Sequence, residues 1–164
     1  MKLFKCIHER DLLADYAEAF DFVFSEEKFD SYLWDNKNKV QSFTKGLHKL
    51  RGWNKHTLQY VPSKEMSFPS MGSWKSLHGP CVYMKRGTSE GRDFLRHLRN
   101  GIAHGRNEVY IKDGDLYLEL ADYRDASCKK QTAYFLIPLS YLIDVWKLYT
   151  IRENQWKRKK FKQL

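Results

Sequence analysis

Two histidines, an asparagine and three arginines fall within the thirteen residues Phe94-Leu-Arg-His-Leu-Arg-Asn-Gly-Ile-Ala-His-Gly-Arg106. Placed on a helix at about 100° per residue, Phe94, Leu95, Leu98 and Ile102 form one stripe, and His97, Asn100, Gly101 and His104 gather on the far side. Arg92, Arg96 and Arg99 lie on the flank between them. A helix that turns its apolar stripe inward therefore presents His97, Asn100 and His104 outward, edged by guanidinium groups, with Gly101 leaving room for another backbone. Histidine suits proton transfer near neutral pH, and arginine supplies a fixed charge for phosphate oxygens. Together they suit metal-free attack on a phosphodiester, although spacing alone equally fits a solvated helix face.

Other chemistries lack their residues. There is no Walker loop, no G-x-S-x-G and no H-E-x-x-H, and the remaining histidines (His8, His48, His56, His78) show no paired metal spacing. Cys6, Cys81 and Cys128 are odd in number and far apart, which points to structural thiols and not to a disulfide framework or zinc cage. No metal and no cofactor is expected. No stretch of about 18 apolar residues exists, and the N-terminus turns charged early, so a cytoplasmic chain without a membrane span is expected.

The net charge is +9, and its distribution matters more than its size. Between Arg152 and Leu164 stand six basic residues and one acidic, so more than half the excess lies in a terminal tail. Lys157, Arg158, Lys159 and Lys160 in that tail are candidate RNA contacts or, equally, a solvated helix end.

The elements that must position these residues can be read coarsely. Residues 10 to 25 carry apolar residues at helical spacing from Leu12 to Phe24, and 36 to 60 form a second helical stretch through Val40, Phe43, Leu47 and Leu50, interrupted by Gly46 and Gly52. Residues 61 to 88 hold Pro62, Pro69 and Pro80 with three glycines and read as a long loop, either a lid or an excursion pinned by Trp74 and Tyr83. The motif helix starts at Ser89 and stops at Gly105. Asp113-Gly114 joins 108–112 to 115–120 as a hairpin, and 132–137 offers a third strand. Pro138 opens the last helix, whose stripe is Leu139, Leu142, Ile143, Trp146 and Tyr149. The expected fold class is mainly α: a single domain, 1–164, with about four helices in a bundle, a β insertion at 107–137 before the last helix, and a basic tail at 152–164.

The string Arg99-Asn100-Gly101-Ile102-Ala103-His104, an arginine and a polar residue followed by a histidine, resembles the R-x4-H signature of HEPN domains, small helical bundles that are often metal-independent endoribonucleases. The stretch Phe94 to Gly105 is similar to the third helix of small plasmid- and prophage-borne HEPN families, and so is the order of elements closing on Pro138-Leu-Ser140. The resemblance implies a homodimer whose motif helices meet across a two-fold axis and pool their arginines and histidines. That arrangement answers a geometric difficulty, because Arg99 and His104 stand about 140° apart on one helix.

The implied reaction is attack of a ribose 2′-OH on the adjacent phosphorus, leaving a 2′,3′-cyclic phosphate and a 5′-OH. His104 would transfer the proton, Arg99 would stabilise the phosphoryl charge, and Asn100 would orient Arg99 or the phosphate. Arg96, His97 and Arg106 are further candidates for RNA contact. The sequence departs from HEPN toxins that carry a modifiable tyrosine two residues after the histidine, since Arg106 stands there. The implied role is a toxin or anti-phage effector acting on RNA, with an antitoxin or regulatory protein as a further partner. The alternative is a catalytically inactive HEPN module that binds RNA, a nucleotide or a protein, including an antitoxin or dimerisation subunit.

Overall fold

The computed structural model describes residues 37–50, 58–61, 67–85, 87 and 89–149, with Ala14 and Ala17 alone before them. Helix α1 spans Lys37–Lys49, strand β1 Leu58–Val61, a 3-10 turn Ser73–Lys75, and strand β2 Cys81–Lys85. Helix α2 spans Glu90–Ala103, followed by β3 (Asn107–Lys112), β4 (Asp115–Tyr123) and β5 (Gln131–Pro138). Helix α3 covers 139–149.

The strands form one five-stranded sheet in the order β1-β2-β5-β4-β3, antiparallel apart from the parallel β1–β2 pair at one edge. One face carries the helices. Val82 and Met84 of β2, Leu118 and Leu120 of β4, and Ala133, Phe135 and Ile137 of β5 are buried in one cluster with Phe43 and Leu47 of α1, Phe94, Leu95 and Leu98 of α2, and Leu142 and Tyr149 of α3. Phe94 meets Phe135 edge-on, with ring centres 5.2 Å apart. Gly46 of α1 brings that helix against Leu148, where a Cβ would lie 2.7 Å from a methyl carbon.

The expected mainly helical bundle with a β appendage is therefore overturned. Between residues 37 and 149 the structure describes three helices, and their buried side chains share one apolar cluster with the sheet. The physical reason is the length of the buried run in β5, where Ala133, Tyr134, Phe135, Leu136 and Ile137 are all inaccessible. Consecutive buried residues in a strand require cover on both faces, which marks the middle of a layered sheet. Pro138 closes β5, paired with Tyr117, and the helix begins one residue later.

Two other boundaries move. The helical stretch expected over 36 to 60 ends at Lys49, and its last part returns as β1. The expected loop 61–88 contains β2, whose Val82 and Met84 are buried in strict alternation with Cys81, Tyr83 and Lys85. The sequence reading at 10–25 and the tail at 152–164 lie outside the described residues.

The far face of the sheet is held by residues 67–80. Glu119, fully buried, accepts hydrogen bonds from the Gly72 N–H (2.9 Å), the Trp74 N–H (3.2 Å) and the Tyr134 hydroxyl (2.6 Å). The Lys112 ammonium donates to the Trp74 and Leu77 carbonyls, and Trp74 stacks on Tyr110 at 4.5 Å. Gln131 ties down the Pro69 carbonyl at 2.9 Å. This part of the segment is a pinned excursion. No helix among the described residues is long and apolar enough to cross a membrane.

Candidate functional site

Helix α2 has the limits its local signals set. Ser89 takes the extended backbone of an N-cap, and Gly105, at φ 65°, ends the helix. The Gly105 N–H bonds to the Ile102 carbonyl at 2.9 Å and the Arg106 N–H to the Gly101 carbonyl at 2.8 Å, the double closure of a Schellman motif. His104 is thereby fixed as the C-cap residue.

The orientation of α2 differs from the one-stripe wheel. Gly101 is buried, and a Cβ there would lie 2.4 Å from Leu120 of β4, so the glycine admits the chain's own sheet and not a second helix. His97 is only 3% exposed, and its Nδ1 lies 2.7 Å from Oδ2 of Asp122, itself buried on the same face of β4 as Leu120. Two of the four residues expected outward, His97 and Gly101, are therefore part of the α2–β4 contact. Arg96, Ala103 and His104 remain exposed, with Arg99 and Asn100 half-buried beside them.

Around the His97–Asp122 pair a polar cluster closes. Oδ1 of Asp122 accepts the Tyr123 N–H at 2.9 Å, while Oδ2 also lies 3.3 Å from the Thr132 hydroxyl and 3.5 Å from the Asn100 amide nitrogen. On the other side of the ring, Nε2 of His97 meets Nη2 of Arg96 at 3.4 Å. An arginine can only donate, so this contact fits a ring whose Nε2 accepts and whose Nδ1–H donates to Asp122. The same Arg96 nitrogen bonds to Oδ1 of buried Asp93 at 3.2 Å, and Oδ2 of Asp93 accepts the Gly87 N–H at 2.7 Å. Arg96 thus stands at the surface with one nitrogen held by two buried groups.

The structure brings His97 and Asn100 together at Asp122, which sequence reasoning did not single out, and sets Arg96 against the other edge of the His97 ring. It sets His104 apart at the helix end, where its side chain has no hydrogen-bond partner among the described residues. Arg106 is drawn away over the Tyr123 ring, 4.9 Å from its centre, and donates to the Asp125 carbonyl at 3.5 Å. Lys157, Arg158, Lys159 and Lys160 lie outside the described residues. A cavity of about 550 Å³ between α1 and the first turn of α2, lined by Val40, Thr44, Ser89 and Arg92 among others, touches none of the expected site residues that are described. Among the described residues no three His, Cys, Asp or Glu side chains are grouped as metal ligands.

Comparison with protein-family models, with curated proteins and with solved structures finds no match to this chain.

Proposed function

We propose that this protein is a metal-independent endoribonuclease of the cytoplasm, a toxin or anti-phage effector, whose site lies on the outward side of α2. The observation that carries the reading is the sorting of the motif. Arg96, Arg99, Asn100 and His104 fall on the accessible side, while His97 and Gly101 anchor the helix to β4. In the reaction the ribose 2′-oxygen forms a bond to phosphorus as the bond from phosphorus to the 5′-oxygen breaks. A homodimer that brings two motif helices together supplies one His104 to take the 2′-OH proton and a second to protonate the leaving oxygen. Arg99 stabilises the phosphoryl oxygens, with Asn100 orienting it and Arg96 as a preset phosphate contact. RNA is the substrate, and an antitoxin or regulatory protein is a further partner.

The test is incubation of the purified protein with mixed cellular RNA in EDTA, followed by mapping of the new ends. His104→Ala lowers the cleavage rate by about 10²–10⁴-fold and Arg99→Ala by about 10²–10³-fold, with unchanged circular dichroism. Cleavage by His104→Ala at the parent rate overturns the reading.

One observation favours binding without cleavage. Arg96 is positioned by Asp93 and His97 whether or not a proton is transferred, so the same face serves a silent RNA-binding module. That reading expects salt-sensitive retention of RNA and no products.

A further inference from the structure

We propose that β3, at the edge of the sheet, is the docking surface for a second copy of this chain, paired antiparallel about a two-fold axis at Tyr110. β3 is the last strand in the sheet order, and no strand among the described residues pairs with its outer side. Val109 and Ile111 are 40% and 69% exposed, the large hydrophobic side chains that the described residues leave uncovered. An exposed six-residue edge with an apolar face is a template for strand addition.

The turn fixes which backbone groups point outward. Asp113 and Gly114 have φ of 52° and 85°, the paired positive values of a two-residue hairpin turn. In such a hairpin the residues flanking the turn exchange hydrogen bonds, so Lys112, Tyr110 and Glu108 bond to Asp115, Tyr117 and Glu119. The bond from the Ala121 N–H to the Arg106 carbonyl at 3.0 Å continues the same phase. The N–H and C=O groups of Asn107, Val109 and Ile111 therefore point away from β4.

The side chains choose the occupant and the register. About Tyr110, a second β3 sets Val109 against Ile111 twice on the helix side, and Glu108 against Lys112 twice on the other. Centring on Val109 instead places Ile111 against Asn107, and centring on Ile111 places Val109 against Asp113. The Tyr110 register satisfies both the apolar and the charged pairs. Lys112 uses two of its three N–H groups on the Trp74 and Leu77 carbonyls, leaving one, and Glu108 accepts the Tyr110 hydroxyl. Pairing makes one ten-stranded sheet with both α2 helices on the same side. The two β4 strands then lie about 14 Å apart at the usual strand spacing.

Sedimentation without RNA tests this independently of any ribonuclease activity. The parent sediments as a dimer, and Ile111→Lys, which sets a lysine against the apolar partner face, raises the dissociation constant about a hundredfold. Tyr110→Cys is the register test. Across the axis two such residues form a non-hydrogen-bonded pair with Cα atoms about 4.5 Å apart, within disulfide reach. Mild oxidation links this variant into a covalent dimer while the parent, as control for the native thiols, stays unlinked. A monomeric parent at about 100 μM, a dimer indifferent to Ile111→Lys, or a Tyr110→Cys chain that fails to link overturns the proposal.

Discussion

Gly101→Ala separates the observed packing of α2 from the orientation that the helical wheel alone implies. A Cβ at Gly101 would stand 2.4 Å from both Cγ and Cδ2 of Leu120 and 2.7 Å from Cδ1, contacts that real methyl groups do not make. Overpacking of this kind typically costs about 1–3 kcal/mol, and with three carbons obstructed the upper end applies. Against it stands the gain of replacing glycine inside a helix, about 1 kcal/mol. The balance is a loss of about 2 kcal/mol, which for a chain of 164 residues lowers Tm by roughly 4–8 °C. The sign reverses when the obstacle is removed. On a Leu120→Ala background the same substitution enters vacated space and stabilises by about 1 kcal/mol, so the double-mutant cycle closes on a coupling of about 3 kcal/mol. Thermal melting and urea titration of the four proteins measure this. A Gly101→Ala chain that melts at or above the parent temperature would refute the α2–β4 contact, because an outward glycine yields only the propensity gain.

Two further outcomes follow from buried groups. Asp122→Ala leaves the Nδ1–H of His97 and the Tyr123 N–H without their acceptor, and loss of a charge-assisted bond together with a buried unpaired donor costs about 3 kcal/mol. His97→Ala added to it costs much less than on the parent, and urea midpoints showing simple additivity would contradict a shared network. Cys81 has its thiol pushed up from 9.0 to about 11, first by burial and further by the Glu119 carboxylate, with Lys112 opposing. The folded chain therefore holds this proton where the unfolded chain has lost it, so stability is full below about pH 9 and declines up to about pH 11. Cys81→Ala flattens that part of the pH–stability curve; a variant with the parent's slope would show that the thiol is not the group responsible.

Local signals made part of this fold legible. The N-cap at Ser89, the stop at Gly105, the Asp113-Gly114 turn and the strand near 132–137 each depend on residues adjacent in sequence, and each stands where expected. The sheet as a whole was not legible, because β1 is a four-residue strand at the end of a stretch with helical spacing, and β2 is a five-residue strand among prolines and glycines that read as loop. Only the alternation of Val82 and Met84 with polar or half-exposed neighbours betrays β2. Glu119 was beyond reach for another reason. Its backbone donors at Gly72 and Trp74 are more than forty residues earlier, and a glutamate between Leu118 and Leu120 looks solvent-facing until residues 67–80 fold across it.

The orientation of α2 departs from the helical wheel through one assumption, that the helix buries a single apolar stripe. Asp122 carried the missing signal. It follows Leu118 and Leu120 at a spacing of two, so it belongs to the face that meets the helices and requires a buried polar partner there. The two contacts of α2 with β4 are also commensurate. From His97 to Gly101 a helix rises about 6 Å, and from Asp122 back to Leu120 a strand runs about 6.6 Å. Helix and strand running in opposite directions can therefore set the hydrogen bond and the glycine contact at once. A rotation of α2 by one residue would lose both, leaving Asp122 buried without its donor and pressing a side chain onto Leu120. This pair of contacts decides that Arg96, Asn100 and His104 emerge on the accessible side, and any chemistry of the motif depends on a helix orientation enforced from beneath it.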